Sequence, residues 1–175
     1  MAIRSFDWEN WKNWPVSEVM TQIEKNVPFE PIGEMSFGDA LWSQEGMGIY
    51  VFYKNNHVPL YIGKVASRSF LERISGHLDT HVHKGGSQTG WFNTFQKRWV
   101  ENFQQNDTIA KKDYLKNVAF HTLKMPVDNS ELIKRVEKLM IHHYNPILNK
   151  GTIIKESSKF YSLLDCLDNP VESIA

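Results

Sequence analysis

Tyr50 and Tyr61 are the first residues in this chain whose types and setting suggest chemistry. Each lies in a short run of alternating apolar residues, Met47 to Tyr53 and Val58 to Gly63, the period-2 pattern of strands with one buried face. Lys54-Asn55-Asn56-His57 separates the runs, and Asn tolerates positive φ, so Asn55-Asn56 is expected to form a two-residue turn closing a hairpin. Pairing across that turn sets 53 against 58, 51 against 60 and 49 against 62. The core face is then Ile49, Val51, Tyr53, Val58, Leu60 and Ile62, with Tyr50 directly opposite Tyr61 on the less apolar face. Gly48 and Gly63 would leave backbone access beside the two phenols, which form a candidate site. The alternative is an aromatic pair that only stabilises the sheet.

Charged residues able to serve such a site follow in order. Over residues 68–78, Phe70, Leu71, Ile74 and Leu78 form one helical apolar arc, and Arg73 and His77 lie together beside it. A guanidinium offers a planar fork of donors suited to phosphate, and an imidazole can hold or move a proton near neutral pH. Taken alone, each is equally a solvated surface group. A second helix is predicted from about Ser130 to His143, with Asp128, Asn129 and Ser130 as possible caps and Leu132, Ile133, Val136, Leu139 and Met140 as its buried stripe. Glu137 borders that stripe. A half-buried carboxylate is costly unless paired or bound to a cation, so Glu137 suits either a hard divalent ion or a salt bridge to a neighbouring Lys or Arg.

Gly48-Ile49-Tyr50, ten residues, then Tyr61-Ile62-Gly63-Lys64 resembles the paired signature of the GIY-YIG nuclease superfamily. The resemblance spans about residues 46–150. It continues through Arg73, through His77 as in the restriction and homing endonuclease branches, through Glu137, and through Asn149 after a Pro-containing turn, Tyr144-Asn145-Pro146-Ile147-Leu148-Asn149. It implies hydrolysis of a DNA phosphodiester with one Mg²⁺ or Mn²⁺ per site held by Glu137. By the same analogy Tyr50 is the general base, and its ordinary pKa near 10 means that Lys64, Arg73 or the metal must favour its deprotonated form. Arg73 would neutralise the scissile phosphate, Tyr61 and His77 would orient water or pass a proton, and Asn149 would tie the site together. A sequence-specific restriction-like cutter is the leading expectation. A structure-specific repair or recombination nuclease and a non-catalytic nucleic-acid-binding module are the alternatives.

The elements that must carry these residues make an α/β (α+β) domain, a small, mainly antiparallel sheet flanked by helices. The 175 residues suffice for one domain with a real core, and the 41% hydrophobic content excludes a disordered chain. Residues 1–45 read as an aromatic helical extension, with Val16, Val19, Met20, Ile23 and Val27 at helical spacing and the Trp side chains packing as core. Residues 46–150 form the nuclease-like domain, and residues 151–175 a tail with one short helix. Residues 117–124 read as a further strand. The single Cys166 excludes an internal disulfide and a Cys-based zinc site, and His77, His81 and His83 lack the partners a zinc site needs. No apolar run reaches membrane-spanning length and no secretory leader is evident, so a cytoplasmic protein without a membrane or small organic cofactor is expected.

Net charge is zero but unevenly spread. Residues 1–45 hold three basic and eight acidic side chains, residues 46–125 eleven and five, and residues 126–175 six and seven. Phosphate contacts are therefore expected from the basic middle, at Lys84, Lys97, Arg98, Lys111 and Lys112, around a polar loop at 81–90 and an apolar stripe of Trp91, Phe95, Trp99 and Phe103. With no separate DNA-reading domain, recognition falls to the N-terminal segment, to residues 79–112, or to a homodimer. Reversing the five basic charges should weaken DNA affinity and flatten its salt dependence, measured by titration over a range of salt concentrations. Equal loss on altering Lys150, Lys155 and Lys159 would place the footprint in the tail instead.

Overall fold

The computed structural model describes residues 2–5, 7–25, 31–34, 47–54, 58–67, 69–70, 72–73, 98, 102–103, 116–125 and 129–149. They form an α+β arrangement: strand β1 (Ala2–Ser5), helices α1 (Trp8–Trp11) and α2 (Val16–Glu24), a 3₁₀ turn at Ile32–Glu34, strands β2 (Met47–Lys54), β3 (Val58–Val65) and β4 (Val118–Met125), and helix α3 (Ser130–Tyr144). The strand order is β1-β4-β2-β3. β2 runs antiparallel to both β3 and β4, and β1 lies parallel to β4. Among the described residues, no helix is long and apolar enough to cross a membrane.

β2 is the centre of the sheet, and Ile49, Tyr50, Val51, Phe52 and Tyr53 are all buried. Its run Gly48-Ile49-Tyr50-Val51-Phe52-Tyr53 contains no charged residue, as expected of a strand covered on both faces. On one face, Ile49, Val51, Tyr53, Ile62, Leu123 and Met125 pack under α2 and α3. On the other, Tyr50, Phe52, Leu60, Val65, Val118 and Phe120 pack with Ile32, Phe70 and Leu148. The Tyr50 face is thus a second core, which corrects the expectation of a less apolar, open surface.

The hairpin register also differs from expectation. Tyr50 stands opposite Gly63, and Tyr61 opposite Phe52. Next to the connection Lys54 pairs with Val58 and Tyr53 with Pro59, after which the register shifts and Phe52 pairs with Tyr61. The turn is therefore one residue wider than the expected two-residue loop, and Leu60 is an extra residue in the ladder. Pro59 has no N–H to give, and such residues gather at edges and bulges. The two slips together amount to two residues, one full side-chain period, so Ile62 keeps its expected face and Tyr61 stays on the face of Tyr50. Val58 and Leu60 do not keep theirs: Val58 is 55% exposed, and Leu60 joins the second core.

The helices follow their sequence signals more closely. Asn129 caps α3, its side-chain oxygen accepting from the Leu132 N–H at 2.9 Å, and Leu132, Ile133, Val136, Leu139 and Met140 are the buried stripe. Asn145 ends the helix in the left-handed conformation, just before Pro146. Replacing Asn129 by Ala removes that cap and should cost about 1 kcal/mol in a denaturation midpoint experiment. α2 buries Val16, Val19, Met20 and Ile23 but closes at Glu24, short of Val27. The Tyr144 hydroxyl donates to the Met20 carbonyl at 3.3 Å and fastens the two helices together. Trp11 and Trp14 pack against this core. The first 45 residues are not purely helical, since β1 pairs with β4.

Candidate active site

β3 is the outer strand of the described sheet, and its free edge would expose unpaired peptide groups. The residues after α3 cover it. Leu148 N–H donates to the Leu60 carbonyl at 2.9 Å, the Asn149 side-chain amide donates to the Ile62 carbonyl at 2.9 Å, and its oxygen accepts from the Ile62 N–H at 2.9 Å. One asparagine side chain thus does for Ile62 what a neighbouring strand would. These bonds flank Tyr61 on both sides and hold its backbone in place. Asn149→Ala leaves both Ile62 groups without these partners and should destabilise the protein by about 1–3 kcal/mol, read as a shift in urea midpoint.

The two signature glycines are sterically required. A Cβ on Gly63 would lie 2.3 Å from both the Tyr50 hydroxyl and its ring carbon Cζ, so the phenol occupies the space that the missing side chain leaves. Gly48 has φ +152°, and a Cβ there would lie 2.0 Å from the Leu123 carbonyl oxygen of β4. The glycines therefore admit a buried phenol and a close strand approach, and do not provide the open backbone expected from sequence.

Tyr50 and Tyr61 are diagonal neighbours with ring centroids 6.1 Å apart, and Phe52 lies 5.8 Å from Tyr50 and 6.3 Å from Tyr61. Tyr50 is 1% exposed, whereas Tyr61 is only partly buried. Burial raises the pKa of Tyr50 far above the ordinary phenol range, and the nearby Tyr61 adds to the rise. Burial also raises Tyr61, but there the hydrogen bond with Tyr50 acts to lower it, as do the charges of Arg73 and Arg98. Of the two phenols, Tyr61 is the more accessible. Thr122, the β4 partner of Tyr50, is buried and its hydroxyl has no hydrogen-bond partner among the described residues; its strand alternation alone did not single it out.

Lys64 and Glu137 form an ion pair between β3 and α3. Their side chains are 33% and 12% exposed, so the carboxylate is largely withdrawn from water while the lysine remains reachable. Burial raises the Glu137 pKa, and Lys64, then Arg73, oppose the rise. Of the two partners expected for Glu137, a cation and a basic side chain, the structure shows the second, Lys64. Arg73 N–H donates to the Ser69 carbonyl at 3.2 Å in a helical turn whose start is capped by the Ser69 hydroxyl, which accepts from Glu72 N–H at 3.1 Å. The Arg73 Nε lies 3.5 Å from the Lys64 carbonyl oxygen, and its charge acts on Tyr50, Tyr61 and Glu137.

Arg73 thus acts through its charge on Tyr50, Tyr61 and Glu137, Lys64 pairs with Glu137 on the sheet face covered by α3, and Asn149 holds the Ile62 peptide next to Tyr61. No family model, no curated protein and no solved structure matches the chain. His77, Lys84, Lys97, Lys111 and Lys112 lie outside the described residues, as do His81 and His83, Trp91, Asn55-Asn56 and the tail from 151. Among the described residues, no group of three or more His, Cys, Asp or Glu side chains could hold a metal ion. Among the described residues, Glu137 is the carboxylate that a cation at this site would find. Arg98, expected on the DNA backbone, donates through Nη1 to the Leu148 carbonyl at 2.7 Å.

Proposed function

We propose that this chain is a divalent-metal-dependent DNA endonuclease of GIY-YIG type, hydrolysing phosphodiester bonds. The observation that carries the reading is the half-buried carboxylate of Glu137, paired with Lys64 and sharing the charge of Arg73 with the hydrogen-bonded phenols Tyr50 and Tyr61. These are the side chains a phosphodiester needs: donors for its negative oxygens, a phenol for the attacking water and an anchor for a metal.

The residues fit a cation. Glu137 already takes the positive charge of Lys64, and a carboxylate so withdrawn from water favours a cationic partner. Glu137 would hold Mg²⁺ or Mn²⁺ in exchange for the lysine, and the ion when bound would supply positive charge against the charge growing on the phosphate oxygens. Arg73 binds the scissile phosphate through its planar donors. Tyr61, more open than Tyr50, orients the attacking water and, as a phenolate that has first released its own proton to solvent, accepts the proton of that water, while Tyr50 donates a hydrogen bond to it from behind. This assigns the proton to Tyr61, where family analogy assigned it to Tyr50.

Single-turnover cleavage decides between the phenols. Tyr61→Phe should lower the rate by about 10²-fold or more, the usual scale for losing a general base, and Tyr50→Phe should cost less. The reverse order would return the role to Tyr50. The function itself is tested by incubating the protein with plasmid and branched DNA in Mg²⁺ and mapping the ends. Cleavage of the plasmid at fixed positions supports a restriction-like enzyme, and preference for branches a repair or recombination nuclease. The Lys64–Glu137 pair also favours one other reading, since a satisfied salt bridge needs no metal. DNA binding without cleavage would select that non-catalytic module.

A further inference from the structure

We infer that Arg98 is a positioning residue for Tyr61 and not a contact to the DNA backbone, an inference whose cleavage arm rests on the nuclease reading. Residue 98 belongs to the basic middle of the chain, where charge alone marks it for phosphate. Its side chain is partly buried, and Nη1 donates to the Leu148 carbonyl at 2.7 Å across fifty positions of sequence.

That carbonyl belongs to the segment that fixes β3. Leu148 N–H donates to the Leu60 carbonyl, and the Asn149 side chain bonds both peptide groups of Ile62. Leu60 and Ile62 are the two neighbours of Tyr61, so a bracket of three hydrogen bonds holds the tyrosine from either side. Leu148 is itself fully buried in the second core with Phe70 and Leu60. Arg98 closes the bracket from outside by fixing the peptide on which it turns. An arginine bond to a carbonyl is directional and charge-assisted, so it restrains the segment more firmly than apolar packing would. The same guanidinium places positive charge near the Tyr61 phenol, which favours its ionised form.

The test compares Arg98→Met and Arg98→Lys with the parent in three measurements: single-turnover cleavage in Mg²⁺, DNA affinity over a range of salt concentrations, and amide hydrogen exchange at Ile62 and Leu148. Arg98→Met should slow cleavage by about 10- to 100-fold, the scale of a misplaced reacting group, with DNA affinity and its salt slope unchanged. Ile62 and Leu148 should lose protection while β2 and β4 keep theirs. Arg98→Lys, which keeps the charge and one donor, should recover part of the rate. Weaker DNA binding with a flatter salt slope would make Arg98 a phosphate contact and overturn the inference, and so would unchanged protection at Ile62 and Leu148. If the Met variant does not fold, Arg98→Gln keeps a donor without the charge and is read by the same exchange and binding measurements. A parent that cuts no DNA defeats the nuclease reading alone, because the exchange data still decide whether Arg98 holds the bracket.

Discussion

Glu137→Gln is expected to abolish Mg²⁺-dependent cleavage, by about 10³-fold or more, since a metal contributes several kcal/mol to stabilising a charged transition state. The substitution keeps the shape of the side chain and removes its charge. Glu137 borders the buried stripe of α3 and does not belong to it, so the helix should keep its packing and the protein its fold. The lysine it releases is one-third exposed and can turn to water. DNA binding should therefore survive while cleavage is lost. Chelation of the parent by EDTA should have the same effect as the substitution, and Mn²⁺ or Mg²⁺ should reverse the one and not the other. Cleavage at the parental rate by Glu137→Gln, or undiminished cleavage in EDTA, would remove the metal from the proposal and leave Lys64–Glu137 as a structural ion pair.

Gly63→Ala should be a severely damaging substitution in the hairpin. The added methyl would lie 2.3 Å from the Tyr50 hydroxyl and Cζ, and neither side can easily give way. Tyr50 is enclosed by Phe52, Tyr61 and the rest of the second core, and the peptide of Ile62 next to Gly63 is held by Asn149. Overpacking of this kind costs about 3 kcal/mol or more, and in a chain of this size that lowers Tm by roughly 6–12 °C. If the clash with the phenol is the cause, Tyr50→Val should relieve it. The double variant Tyr50→Val/Gly63→Ala should then lose much less stability than the sum of the two single losses. Additive losses would mean that Gly63 is required for some reason other than the space Tyr50 fills. The prediction concerns folding alone and holds whether or not the protein is an enzyme.

Both expectations turn on side chains whose types were legible before any fold was known. The sequence by itself determined the elements: two alternating runs around Lys54-Asn55-Asn56-His57 became β2 and β3, residues 117–124 became β4, and the apolar spacing from Leu132 to Met140 with Asn129 before it became a capped helix. These signals are local. Period-2 and 3.6-residue patterns record which side of an element faces the core, and a cap needs only the residues within one turn of it. The order Tyr50, Tyr61, Lys64, Arg73, Glu137 and Asn149 was also readable, because residue types and separations are properties of the chain.

Only the tertiary structure decided what those residues meet. The bulge at Leu60 could not be read from the alternation of Val58 to Gly63, although Pro59 stood in the run as a warning, and it replaced a Tyr50–Tyr61 pair with Tyr50 over Gly63. Nor does alternation reveal that a second layer covers the Tyr50 face, since Phe70 and Leu148 come from distant parts of the chain. The ion pair that Glu137 makes depended on β3 bringing Lys64 against α3, and the bond from Arg98 to the Leu148 carbonyl depended on the path of the residues after α3. The physical reason is the same in each case. A charge or a hydroxyl acts on whatever lies within a few ångströms, and those neighbours are set by how strands pair and layers stack, not by position along the chain.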